Sequence, residues 1–330
     1  MKITMFSARS YDRESFNRID HPHSIAFEPE LLSERTVALA GDSAGVCISV
    51  NDTADRAVLS TLESQGCRII VTRSMGHNHI DLDAAEELGF AVASVPHYSP
   101  NSVSEFTVGL ILTLTRKIHR AYIRSRECDF DLRGLVGSQL SDKTVGVVGA
   151  GQIGALVLRA LSGFGCRLIY HDLIERNELR GIAEYVSIAD LARHSDIVTL
   201  NVPLTEKTYH LVNAEMIPGL KRGVLIVNTG RGGLIDAAAL VEGIKSGAIG
   251  GAALDVYEEE AGLFYIDRSE DILEDDTFSR LLTFPNVIVT SHMAYLTDHA
   301  LSDIAKSVIG SFDAFGAGRP PPDALRPDRL

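Results

Sequence analysis

No stretch of this 330-residue chain is apolar for long enough to cross a membrane as a helix. Positive charge is in deficit. The 31 Lys and Arg stand against 44 Asp and Glu, for a net charge of −13, so the chain lacks the basic field on which non-specific nucleic-acid binding depends. An anionic substrate must then be held by local cations rather than drawn in by the overall field. Cysteine is sparse: Cys47, Cys67, Cys128 and Cys166 are scattered, with no paired metal-ligand spacing. Cys47, Cys67 and Cys166 sit in or beside apolar strand-like runs, where buried thiols are common. Reduced thiols in a cytoplasmic protein are the expectation, and nothing supports a disulfide framework. His77 and His79 are neighbours, but no third ligand accompanies them, so no metal is expected. Neither an internal repeat nor a low-complexity tract is present. The opening Met1–Ser7 reads as a strand rather than a secretion signal, because Arg9, Asp12, Arg13 and Glu14 follow too soon.

What is present is an alternation of strand and helix patterns, on a length that accommodates two domains. Strands are expected near Lys2–Phe6, Val46–Val50, Ile69–Thr72 and Ala91–Ser94, with helices such as Asp55–Gln65 and Leu82–Leu88 between them. Val95–Pro100 breaks the pattern and reads as a hinge. Ser102-Val103-Ser104-Glu105 then fits a capping box opening one long helix to about Arg126. From Thr144 onward six strands follow: Thr144–Val148, Arg167–His171, Ile197–Val202, Val224–Asn228, Gly251–Asp255 and Val287–Thr290. Six parallel strands complete a doubly wound dinucleotide domain. A last helix, Asp298–Phe315, carries Leu301, Ile304, Ala305, Val308, Ile309 and Phe312 on one face and is expected to return to the first domain. The Pro- and Arg-rich tail, Gly316–Leu330, reads as loosely ordered. The expected division is thus a discontinuous domain, 1–99 with 298–330, around an inserted domain, 100–297.

The inserted domain opens on Val145-Gly146-Val147-Val148-Gly149-Ala150-Gly151-Gln152-Ile153-Gly154, a buried-strand pattern running into Gly-x-Gly-x-x-Gly. Gly149 permits the tight turn, Gly151 lets the backbone approach a pyrophosphate, and Gly154 lets the helix pack on the strand. The amides of Gln152 and Ile153 begin a helix whose positive end favours phosphate. The next strand ends at Asp172, about 20 residues on, the position of an acid that accepts bonds from ribose hydroxyls. A carboxylate there would repel a 2′-phosphate, so NAD(H) is expected over NADP(H), although Arg176 lies close by.

Ligands of open parallel sheets bind beyond the carboxyl ends of the strands. The third strand of the inserted domain ends at Val202-Pro203. The fourth runs into Thr229-Gly230-Arg231-Gly232-Gly233, where an arginine between glycines suits a substrate carboxylate. The fifth ends at Asp255, placed to meet a nicotinamide carboxamide, and is followed by Glu258, Glu259 and Glu260, among which sequence alone does not choose. The sixth runs into Ser291-His292, and a histidine at such an edge is a natural proton donor. A neighbouring carboxylate favours the protonated imidazole. A cation, an acid–histidine pair and a nicotinamide together suit hydride transfer to the carbon of a 2-oxo acid.

Those residues resemble the D-isomer-specific 2-hydroxyacid dehydrogenase family, and within it the D-lactate dehydrogenases. The resemblance covers nearly the whole chain. It is carried by Val145–Gly154, Val227-Asn228-Thr229-Gly230-Arg231-Gly232, Gly251-Ala252-Ala253-Leu254-Asp255-Val256-Tyr257-Glu258 and Ser291-His292. It implies a catalytic Arg231, Glu260 and His292, the glutamate being the last residue of the Asp-Val-Tyr-Glu-x-Glu pattern. It also implies a Rossmann NAD domain inserted in a flavodoxin-like substrate domain, both α/β with doubly wound parallel sheets, and a homodimer. The stretch Thr72–Asp81 resembles the family's substrate loop, particularly that of the vancomycin-resistance D-lactate dehydrogenases, and implies that backbone amides near Met75 and Gly76 meet the substrate carboxylate. Tyr98 matches a substrate-side tyrosine, and Tyr295 stands where an aromatic is common. The chain departs from some D-lactate dehydrogenases in lacking a tyrosine near Asn51 and Asp52. It departs from the vancomycin-resistance type in having Asp172.

The expected reaction is NADH-dependent reduction of a 2-oxo acid, pyruvate by default, to the D-hydroxy acid. Alternatives are the same chemistry on a larger or doubly anionic 2-oxo acid, formate oxidation on the same fold, and a non-enzymatic NAD(H)-sensing corepressor. Formate oxidation needs no proton transfer of the kind that Glu260 and His292 suit. The corepressor reading calls for a partner-docking extension, which the chain's length does not suggest.

Overall fold

The computed structural model describes residues 1–96 and 98–327. His97, within the expected hinge, and the last three residues of the tail lie outside it. The chain divides into two compact units, Met1–Ser99 with Leu296–Leu330, and Pro100–Tyr295.

The first unit begins with β1 (Lys2–Met5), α1 (Ser10–Asn17), β2 (Ser24–Phe27), β3 (Gly45–Ile48), α2 (Arg56–Ser64), β4 (Ile69–Thr72), α3 (Leu82–Glu87) and β5 (Ala91–Ala93). The second unit holds α4 (Pro100–Arg116), α5 (Ile118–Arg126), β6 (Thr144–Val148), α6 (Gln152–Ser162), β7 (Arg167–His171), β8 (Glu184–Tyr185), α7 (Ile188–His194), β9 (Ile197–Leu200), β10 (Val224–Asn228), α8 (Ala237–Lys245), β11 (Ile249–Leu254), α9 (Asp276–Thr283) and β12 (Val287–Val289). The chain then returns to the first unit with α10 (Asp298–Gly316) and β13 (Ala324–Leu325).

Among the described residues the first unit's sheet has six strands in the order β13-β5-β4-β3-β1-β2, parallel except for the pairing of β13 with β5. Val46, Ile48 and Ile70 face Val58, Leu59 and Leu62 of α2 and Ala84 and Ala85 of α3 in one buried cluster. The opposite face is covered by α1 and α10. There Gly45 is so close to Phe312 that an added Cβ would stand 2.8 Å from its ring. A run buried on both faces is what a covered parallel sheet demands, and each wholly buried Ile or Leu contributes about 1.5–3 kcal/mol. Asp55 caps α2 through Val58 N–H, and Thr297 caps α10 through Ala300 N–H.

The second unit's sheet has seven strands, in the order β12-β11-β10-β9-β6-β7-β8, all parallel. α7, α8 and α9 pack on one face through Leu191, Leu240 and Leu281, and α4 and α6 on the other through Ile111, Val157 and Leu161. Strand order reverses at β6 and β9, which places a crevice at their carboxyl ends. Two doubly wound parallel sheets were the expectation, and that is the architecture.

Several local readings need correction. The short edge strands β2, β8 and β13 were not expected. The tail reading fails at Ala324–Leu325, which pairs with Val92–Ala93. The capping box at Ser102 is not used, because α4 already begins at Pro100, a residue preorganised for the first helical turn. The single long helix to Arg126 is broken at Lys117, whose φ is +54° and whose Nζ donates to Gly134 O. None of the residues of α5 is buried. No described helix is long and apolar enough to cross a membrane.

Candidate active site

The glycine loop lies at the crevice of the second unit. Gly149 has φ +88°, and a Cβ on it would stand 2.6 Å from Asn201 O and 2.7 Å from a methyl of Val202. A Cβ on Gly154 would stand 1.9 Å from Gly149 O, so α6 meets the strand with no room for a side chain. The space in front of Gly151 is open instead. An open backbone face at the start of an eleven-residue helix, whose first amides lack intrahelical partners, fits a pyrophosphate. Gly154→Ala is expected to destabilise the protein by about 1–3 kcal/mol through overpacking, read as a lower urea midpoint. A midpoint equal to the parent's would show that the turn has room.

Asp172, at the end of β7, ties this loop down. Its Oδ2 accepts from Ala150 N–H at 3.0 Å and from Arg176 Nε and Nη2 at 3.2 and 3.0 Å, while Oδ1 accepts from Leu173 N–H at 2.6 Å. Across the crevice Val202 is half-buried and Pro203 exposed.

The turn after β10 is set by Asn228, which sequence reasoning quoted in a motif but did not assign. It is wholly buried. Its Oδ1 accepts from Gly230 N–H at 3.0 Å and its Nδ2 donates to Arg231 O at 2.9 Å. Thr229 bonds to Thr107 of α4. The turn thereby presents Arg231 as an exposed side chain, with Nη1 donating to Gly230 O. Behind it Gly232 presses on the next loop so closely that a Cβ would lie 2.0 Å from the Tyr257 carbonyl carbon.

That loop carries the three glutamates, and the geometry separates them. Glu258 Oε2 is 2.8 Å from His210 Nε2, whose ring stacks on Tyr209 at 3.9 Å. Glu259 is exposed. Glu260 Oε1 is 2.7 Å from His292 Nδ1, and its Oε2 accepts from Tyr257 N–H at 3.1 Å. Both side chains of the Glu260–His292 pair are about four-fifths buried, at 24% and 20% exposure.

His292 sits in a strained turn, with φ values of +55° at Ser291 and +57° at His292. Asp255 holds that turn. Its Oδ1 accepts from Thr290 Oγ1 at 2.7 Å and Met293 N–H at 2.9 Å, and its Oδ2 accepts from Ala294 N–H at 2.9 Å. Asp255 was expected to face a carboxamide; its side chain is wholly buried here, with three of a carboxylate's roughly four acceptor positions filled by the turn. Tyr265, also unassigned from sequence, donates its hydroxyl to His292 O at 2.8 Å. Tyr295 is half-buried at the end of this unit.

Met75, Gly76 and Tyr98 belong to the first unit. Met75 is 43% exposed, and Gly76 and Tyr98 are half-buried. The loop of Met75 and Gly76 follows β4, beside Arg73, and Tyr98 follows β5. The Arg73 guanidinium is buried, donates to the carbonyls of Phe6 and Ser7 at 3.1 and 3.3 Å, and lies 3.5 Å from Asp12.

Residues 108–294 match the family model described as D-isomer specific 2-hydroxyacid dehydrogenase, NAD binding domain. The chain is 49% identical to 2-hydroxyacid dehydrogenase A of Aspergillus oryzae over 96% of its own length and 92% of that protein's. It is 42% identical to the aromatic 2-oxoacid reductase of Clostridium sporogenes over 96% of each. Its structure superposes on that of D-lactate dehydrogenase from Escherichia coli with a TM-score of 0.91 and 39% identity, covering 98% of this chain and all of the other. The match of the cofactor domain, together with identity along the full length, shows that the chain belongs to the D-isomer-specific 2-hydroxyacid dehydrogenase family.

Proposed function

We propose that the protein reduces a 2-oxo acid, with pyruvate as the first candidate, to the D-2-hydroxy acid, using NADH. The observation that carries this reading is the 2.7 Å contact between His292 Nδ1 and Glu260 Oε1. A carboxylate can only accept, so Nδ1 keeps its proton and Nε2 is the nitrogen left to exchange a proton with substrate. Arg231 holds the substrate carboxylate by paired hydrogen bonds. Met75, Gly76 and Tyr98 of the first unit are assigned to substrate binding, as is Tyr295 of the second. Bound NADH supplies the hydride. The amides of Gln152 and Ile153, with Gly149, Gly151 and Gly154, hold its pyrophosphate, and Asp172 its adenosine ribose. Val202, Pro203, Thr229 and Gly230 line the remainder, while the buried Asp255 holds the turn that carries His292. Kinetics with a panel of 2-oxo acids, running from pyruvate to branched, aromatic and doubly anionic side chains, test the reading. Turnover with NADH is expected, with pyruvate among the best substrates. NADH binding without turnover of any member would favour an NAD(H)-sensing protein instead.

Cofactor choice rests on Asp172 and its partner. With Asp172→Ser the carboxylate is gone and Arg176 is released, so the ratio of kcat/KM for NADPH over NADH is expected to rise about tenfold or more. An unchanged ratio would remove Asp172 from that role. A homodimer is supported by the apolar side chains that α5 and the following loop leave exposed, among them Tyr122, Phe130, Leu132 and Val136. Sedimentation at twice the chain mass is the expected result, and a monomer at micromolar concentration would contradict it.

A further inference from the structure

The loop that follows β4 contains a chain of hydrogen bonds whose direction can be deduced. Thr72 Oγ1 is 2.7 Å from Ser74 Oγ, Ser74 Oγ is 2.6 Å from Gly76 O, and Thr72 Oγ1 is 3.2 Å from His79 Nε2. A carbonyl oxygen only accepts, so the single Ser74 proton goes to Gly76 O. Ser74 must then accept from Thr72, which spends its own single proton. Thr72 must therefore accept from His79, whose proton is fixed on Nε2. Burial, reinforced by neighbouring His77, pushes the His79 imidazole down to about 4, so the ring is neutral and carries only that one proton. Thr72 is wholly buried and Ser74 nearly so.

The chain ends on a peptide group. Among the described residues no peptide bond is cis, and in a trans peptide the carbonyl and the following N–H point opposite ways. Holding Gly76 O against the buried Ser74 hydroxyl therefore turns His77 N–H away from the interior. Among the described residues, the amides of Met75, Gly76 and His77 donate to no backbone or side-chain acceptor.

We propose that Ser74 is a positioning residue for the 2-oxo acid: through Thr72 and His79 it locks the Gly76–His77 peptide so that His77 N–H, next to those of Met75 and Gly76, is presented to the substrate carboxylate. The proposal rests on the assignment of this loop to the substrate. The relay serves binding, not proton transfer, and Ser74 touches no reacting atom.

Steady-state kinetics on Ser74→Ala, Ser74→Thr and Gly76→Val test it. Losing one neutral hydrogen bond corresponds to roughly a 3- to 10-fold effect. Ser74→Ala is expected to raise KM for pyruvate by about that factor, with kcat and KM for NADH unchanged, and Ser74→Thr, which keeps the hydroxyl, is expected to restore the parent value. Gly76→Val places a branched side chain among the amides and reports on the loop itself. If Gly76→Val raises KM for pyruvate and Ser74→Ala does not, the positioning role is overturned and the loop assignment stands. If neither variant moves KM, the loop assignment fails and the proposal with it. If Ser74→Ala lowers Tm and kcat together without changing KM, the hydroxyl is merely structural, which also overturns the proposal.

Discussion

Replacing His292 with Gln is expected to lower kcat for 2-oxo acid reduction by about 10²–10⁴-fold, the usual worth of a positioned proton donor. Affinity for NADH should be unchanged, because His292 stands apart from the glycine loop in the sheet order: it follows β12 at the edge, whereas that loop follows β6. Gln fills similar volume but cannot deliver a proton. The histidine it replaces is held at three points: Glu260 on ring Nδ1, Asp255 on the turn that carries the residue, and the Tyr265 hydroxyl on the backbone carbonyl. Glu260→Gln should lie between that variant and the parent, since the imidazole stays while the group that fixes its tautomer is weakened. Single-turnover rates with saturating NADH measure both variants. A His292→Gln rate close to the parent's would remove the histidine from the chemistry.

Arg231→Ala carries the second large effect. A paired guanidinium–carboxylate contact supplies two charge-assisted hydrogen bonds at about 1.5–3 kcal/mol each, so kcat/KM should fall by about 10²–10⁴-fold. Arg231→Lys should recover only part of that loss, because an ammonium cannot make two parallel bonds from one plane. The fold itself should tolerate both changes. The Arg231 side chain is exposed and donates to the adjacent Gly230 carbonyl, whereas the turn is built by Asn228. Asn228→Ala is therefore the contrasting variant, expected to lower both kcat/KM and Tm. Wild-type-like kcat/KM in Arg231→Ala would place the carboxylate elsewhere.

The parallel sheets and the glycine loop were legible in the sequence for a physical reason. A strand buried on both faces must be a continuous apolar run, and a helix packed so that a Cβ at position 154 would stand 1.9 Å from Gly149 O admits only glycine there. The family was legible because several strand ends carry distinctive residues together. The choice among Glu258, Glu259 and Glu260 was not legible from the residues themselves, since three successive acids are equivalent until their partners are known. His210 claims the first and His292 lies against the last. The break at Lys117 was equally hidden, because a lysine at positive φ is a tertiary effect with no local signal. The strand at Ala324–Leu325 depends on pairing with residues far away in the chain. The bonds from Asp255 to the 290–294 turn, and the relay from His79 to Gly76, likewise join groups that sequence shows only as isolated polar residues.

Arg231, Glu260 and His292 are proposed to serve a stereospecific reduction of 2-oxo acids. Chiral analysis of the product formed from pyruvate and NADH by the full chain tests it most directly. D-lactate alone is the expected product, formed at a rate that His292→Gln lowers by about 10²–10⁴-fold; L-lactate, a racemate, or D-lactate formed equally well by His292→Gln would contradict the proposed roles.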